Sequence, residues 1–144
     1  MPRGAAGRSA GRDPDPATAI SHAQALLQAG RIDDRTILEA LRRNAGVEAS
    51  AILAAKAGVA LSVIERACGL RSAKAIVSLT WKAGFSVQTA VVLQTMLARL
   101  APEEILRPAS ETGFPLSEDE MRWQLAFLGA GGGGTRTWMP RRLS

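Results

Sequence analysis

Apolar positions recur at helical spacing through the middle of the chain, while Pro and Gly gather toward both ends. A period near 3.6 predicts amphipathic helices, and no strand is predicted. AG or CG pairs at Gly30, Gly46, Gly58, Gly69 and Gly84 read as helix stops, since glycine takes the left-handed cap conformation without the steric cost of a Cβ. Val47, Val59, Leu70 and Phe85 follow four of them, at the position that folds back on the preceding turn. Starts are marked as well. Ser62 with Glu65 and Ser117 with Glu120 match capping boxes, Ser72 and Ser86 match simple N-caps, and Asp33 or Asp34 opens another helix. The pattern predicts helices near residues 16–29, 34–44, 47–57, 62–68, 72–83, 86–100, 102–107 and 117–128.

The resulting expectation is an all-α fold, either a compact helical bundle or a short HEAT-like helix-pair stack. The stack is suggested by the loose spacing of Gly30, Gly58, Gly84 and Gly113, which is that of helix pairs. Helix 86–100 is expected at the centre, because Val87, Ala90, Val91, Leu93, Met96, Leu97 and Leu100 leave only the narrow polar strip of Gln88, Thr95 and Arg99. Met96 then reads as core filler, not as a cofactor ligand. Residues 1–15 read as a disordered tail, 16–129 as the helical domain, and 130–144 as a flexible, Gly-rich, basic tail.

Composition fits one soluble domain: 144 residues, 47% hydrophobic and 22% charged. With no apolar run of membrane-spanning length and no signal peptide core, the expected location is cytoplasmic. The net charge of +5 is unevenly placed. Residues 31–99 carry ten Lys or Arg against five acids, and residues 100–128 carry two against six, so a basic body meets an acidic end.

The run RSAKAIVSLTWKAGFS, followed by VVLQTMLARLAPEEIL and FPLSEDEMRWQLAFLG, resembles the C-terminal region of the bacterial family known as domain of unknown function 2336, over residues 31–129. The resemblance implies a helical fold and no known activity, and it supplies no catalytic residues.

Little catalytic chemistry can be assembled. One cysteine, Cys68, and one histidine, His22, preclude a disulfide and a His/Cys zinc site, and there is no tyrosine. Neither a metal, nor a cofactor, nor a small-molecule substrate is expected. No histidine is expected beside a carboxylate. Gly7-Arg8-Ser9-Ala10-Gly11 matches a nucleophile-elbow pattern but follows no strand. GAGGGG, Gly129 to Gly134, matches a dinucleotide fingerprint but follows a helix. Glu118, Asp119 and Glu120 fall in a first helical turn, where negative charge suits the helix dipole. A non-enzymatic binding protein is the natural reading.

Two surfaces are candidates for contact. A helical projection places Lys74, Ser78, Lys82 and Trp81 in one sector, with Arg71 and Ser72 just before the helix. A cation in a first turn is disfavoured by the dipole, so Arg71, Ser72, Lys74, Ser78 and Lys82 form a candidate anion site. On the last helix, Met121, Leu125 and Leu128 share the core face, while Trp123 and Phe127 form a second stripe. Either helix 102–107 and the turn at Gly113 to Pro115 fold over these rings or they are an interface. The first functional expectation is therefore a protein-interaction module, using a partner protein or a second copy, through Trp123, Phe127 and Trp81. The alternative is nucleic-acid binding by a helix-turn-helix-like pair at residues 62–83. Trp138 with Arg136, Arg141 and Arg142 would suit an acidic groove, but the tail reads as an unselected extension, tethered and mobile, whose removal leaves the unfolding midpoint unchanged.

Overall fold

A computed structural model describes residues 14–129 of the chain. The expected tails, apart from Pro14 and Asp15, the Gly7–Gly11 match and all but the first residue of the Gly129–Gly134 match lie outside the described residues. Within them the fold is all-α. Seven α-helices follow one another: α1 Pro16–Gln28, α2 Asp34–Arg42, α3 Gly46–Ala57, α4 Leu61–Gly69, α5 Ala73–Ala83, α6 Val87–Met96 and α7 Glu118–Leu128, with a 3-10 turn at Pro102–Glu104.

The centre of the molecule is α3, with α5 beside it, and not the helix after Ser86. Ala49, Ala51, Ala54, Ala55 and Ala57 join Ile52 and Leu53 in burying nearly the whole circumference of α3. Short side chains let neighbouring backbones come close on several sides at once. Accordingly α1, α2, α4 and α5 all pack on α3, and α1 does so through Ala19 and Ala23, one turn apart. By contrast α6 is partnered by α5 and α2, ends at Met96 and leaves Met96 42% exposed. The methionine is surface, not core.

Helices α1, α3, α5 and α7 contact one another in succession, α2 packs on α6, and α4 meets α3, α5 and α7. That closure of α2 onto α6 gives a compact bundle. Ile37, Ile52, Ile64, Ile76, Leu79 and Leu93 are fully buried in one continuous core. Each contributes roughly 1.5–3 kcal/mol on burial.

Successive helices end alike. The amides of Arg31, Ala45, Val59, Ser72 and Phe85 each bond the carbonyl five residues back, and the preceding residue has positive φ at Gly30, Asn44, Gly58, Arg71 and Gly84. This is the Schellman closure expected for an AG stop. Two of the five glycines do not play that part: Gly46 opens α3 and Gly69 ends α4, while Asn44 and Arg71 adopt the left-handed conformation. Ser62 and Glu65 form no capping box, since α4 begins at Leu61 behind Ala60. Asp33 does form a reciprocal box with Thr36, and Ser72, Ser86 and Ser117 cap α5, α6 and α7. Structure also extends to Asp15, which caps α1 through Thr18. Thr18 and Thr36, as donors to Asp15 and Asp33, hold these carboxyls below their usual range.

The predicted helix 102–107 shrinks to one 3-10 turn. The rest of the long α6–α7 connection is held by side chains: buried Gln94 pairs with both backbone groups of Leu106, and Gln88 donates to the Glu111 carbonyl. The connection thereby brings Leu106, Phe114 and Leu116 onto a second small core made by Val77, Ala90 and Met121.

Candidate functional site

The last helix buries Met121, Leu125 and Leu128 against the body, as its i, i+4 and i+7 spacing dictates. Helices α5 and α4 receive that face, and the Arg66 guanidinium of α4 donates to the Leu128 carbonyl at 3.1 Å, holding the end of α7 in place. The opposite face carries Trp123 and Phe127. They are 57% and 62% exposed and stacked on one another, with ring centroids 5.6 Å apart and planes 9° from parallel. The α6–α7 connection packs on the cluster of Val77, Ala90 and Met121, and the two rings are left exposed.

Trp81 sits differently. It is half-buried, packed against both hydrophobic clusters, and the Arg122 guanidinium lies 5.7 Å from its ring centroid. Arg122 follows Glu118 by one turn and is paired with Glu118 and Asp119. It lies about 100° around α7 from Trp123, so Trp81 and the stacked pair occupy different flanks of the helix. Asp119, Trp123 and Phe127 line up at four-residue steps, an aromatic pair with a carboxylate at its N-terminal end.

The proposed anion site does not assemble as the sequence predicts. Ser78 is wholly buried and donates back to the Lys74 carbonyl at 2.8 Å, a local bond that removes it from the surface set. The Ser72 hydroxyl is engaged in capping Ala75. Lys74 has compensation after all, from Glu120 at 3.7 Å, and Arg71 pairs with Glu104 at 3.5 Å while donating to the Arg99 carbonyl at 3.0 Å. Lys82 is exposed. The acids of the C-terminal region thus neutralise cations of the body within one molecule.

Sequence reasoning also misses a histidine beside a carboxylate: His22 Nδ1 lies 3.9 Å from Glu48, which is held in addition by a two-pronged contact from Arg43 at 3.2 Å. The two lie in different helices, and no local pattern announces the pairing.

An open apolar groove of about 340 Å³ lies between the start of α3 and α4, lined by Val47, Ser50, Leu61, Glu65, Cys68 and Leu97. Burial, aided by the Glu65 charge, pushes the Cys68 thiol up to about 11, so at neutral pH it is a protonated thiol and a poor nucleophile. Among the described residues, no group of three or more His, Cys, Asp and Glu could hold a metal ion, and no single helix is long and apolar enough to cross a membrane. No family model matches the chain, and neither a curated protein nor a solved structure is significantly similar to it.

Proposed function

We propose that this protein is a non-enzymatic helical interaction module that engages a protein partner through Trp123 and Phe127. The observation that carries the reading is the exposure of two stacked rings on a helix whose opposite face is fully committed to the core. Aromatic residues presented together are the usual anchors of protein interfaces, because they bury much area at little cost in side-chain entropy. The resemblance of residues 31–129 to domain of unknown function 2336 is compatible with this reading and adds no activity to it.

The test is binding by the folded Trp123→Ala and Phe127→Ala variants. Partners cross-linked to the wild-type chain in cell extract should be lost with both, and a recombinant partner should bind the wild-type chain directly. Capture of the same set by both variants would end the proposal. Nucleic-acid binding by residues 62–83 is less well supported, since Ser78 is buried and Arg71 and Lys74 are paired with carboxylates.

A further inference from the structure

The Trp123–Phe127 face lies at the end of the described chain, and the sequence that follows it has complementary chemistry. Gly129 closes α7 in the left-handed conformation two residues after Phe127. Beyond it the sequence runs AGGGGTRTWMPRRLS: a glycine-rich stretch, then Trp138 and Met139 bracketed by Arg136, Arg141 and Arg142. The exposed stripe of α7 offers the converse, two stacked rings and then Asp119, which is 99% exposed, with Glu118 beside it at 65%. We propose that residues 135–144 of the same chain occupy this face, with Trp138 and Met139 against Phe127 and Trp123 and with Arg141 and Arg142 toward Asp119 and Glu118.

Reach and concentration decide in favour of the chain's own tail over a second copy. At about 1.5 Å per residue, Trp123 lies roughly 7.5 Å and Asp119 roughly 13.5 Å back along α7 from Leu128. The nine residues from Gly129 to Thr137 have a root-mean-square span of about 16 Å for a Gly-rich composition, which more than covers the distance to Trp123 and stays of the same order as it. A linker so matched gives an effective concentration in the millimolar range, so a second copy at about 10 μM would need roughly hundredfold greater affinity to displace it. From Trp138 to Arg141 is about 10 Å of extended chain, enough to pass from the rings to the carboxylates one turn further on. Arg122 now serves those carboxylates, but exposed ion pairs exchange partners at little cost. The inference rests on the face being an interaction surface and adds that the tail competes with its partner for it.

A contact this weak adds little to global stability, so the informative experiment reads the rings directly. In the full-length, nitrogen-15-labelled protein, the indole N–H signal of Trp123 should move in Trp138→Ala and in Arg141→Glu/Arg142→Glu. It should stay fixed on twentyfold dilution of the wild type, and the backbone amide signals of buried Ile52 and Leu53 should hold their places in every variant as a check on the fold. A Trp123 signal unmoved by Trp138→Ala overturns the proposal, and movement on dilution overturns it in favour of a second copy. If the tail substitutions change nothing while Trp123→Ala still abolishes partner binding, the tail inference fails and the interaction face stands.

Discussion

The Gln94 side chain pairs with the Leu106 backbone as a strand neighbour would: Nε2 donates to the Leu106 carbonyl at 3.0 Å, and Oε1 accepts from the Leu106 amide at 2.8 Å. Nε2 also donates to the Ala90 carbonyl at 3.1 Å, and the side chain is wholly buried. Gln94 thus anchors the first part of a long connection that has almost no regular structure of its own, and Gln88 of the same helix holds it further on at Glu111. The consequence reaches α7, because the same connection supplies Leu106, Phe114 and Leu116 to the small core around Met121.

Gln94→Leu keeps the apolar volume but strands two half-buried backbone groups, each costing about 1–3 kcal/mol when left unpaired. Roughly 2–4 kcal/mol of stability should be lost, read as a lower denaturant midpoint. The Leu106 amide should lose its protection against hydrogen exchange in the same variant. A Gln94→Leu protein as stable as the wild type would show that the connection is held by its apolar contacts alone.

Two faces of α7 should answer differently to truncation. Met121 is 2% exposed, and Met121→Ala should cost about 2–5 kcal/mol, as a core cavity does. Trp123→Ala removes a larger side chain, yet its ring is already in water on much of its surface. The loss should be limited to the stacking with Phe127, about 0.5–1.5 kcal/mol. Urea titration of the two variants checks the order. A cost at Trp123 equal to that at Met121 would place the ring in the core and remove it as an interface.

Which parts of this arrangement are legible in the sequence follows from the range of each interaction. Ser72, Ser86, Ser117 and Asp33 cap helices through bonds spanning three residues, and local reading finds them. Met121, Leu125 and Leu128 separate from Trp123 and Phe127 by periodicity alone. Gly46 and Gly69 mislead because each lies within two residues of the true left-handed position, which Asn44 and Arg71 occupy at some cost in backbone strain. Lys74 looks uncompensated until folding brings Glu120 beside it, 46 positions away. The centre of the bundle is misread for a related reason: alanines that let neighbours approach α3 look weaker in sequence than the three valines and the leucine of α6.

The Cys68 thiol gives a dependence on pH with a defined sign. Burial and the Glu65 charge raise its folded value to about 11, above the ordinary value of 9.0 that it has once exposed. Below that ordinary value both states hold the proton and the thiol's contribution is fully present. As pH rises from there through about 11, the unfolded chain ionises first and the contribution is lost. Midpoints measured between pH 8 and 11 should therefore fall more steeply for the wild type than for Cys68→Ala. Parallel curves would mean that the thiol is as well solvated as in the unfolded chain. Iodoacetamide should likewise modify the native protein at pH 7.5 much more slowly than the denatured one.

Basic residues of the body are largely structural, and this decides what the positive charge can do. Lys56 Nζ donates to the Ala83 carbonyl at 3.0 Å, Arg66 to that of Leu128 at 3.1 Å and Arg71 to that of Arg99 at 3.0 Å. The first two lie at the ends of α5 and α7, where a cation meets the negative pole of the helix dipole. Arg43, Arg71, Lys74 and Arg122 stand within 4 Å of carboxylates. A phosphate backbone approaching these cations also meets the carboxylates beside them, which repel it, and each phosphate neutralised would add about 0.9 to the logarithmic salt dependence. Duplex and single-stranded DNA should accordingly fail to bind at micromolar protein in 50 mM salt by fluorescence anisotropy. Lys56→Met, meanwhile, should lower stability by about 1 kcal/mol, as loss of a half-exposed charged cap does. Tight binding with a steep salt slope, weakened by Lys82→Glu, would instead restore the nucleic-acid reading and locate it on the exposed side of α5.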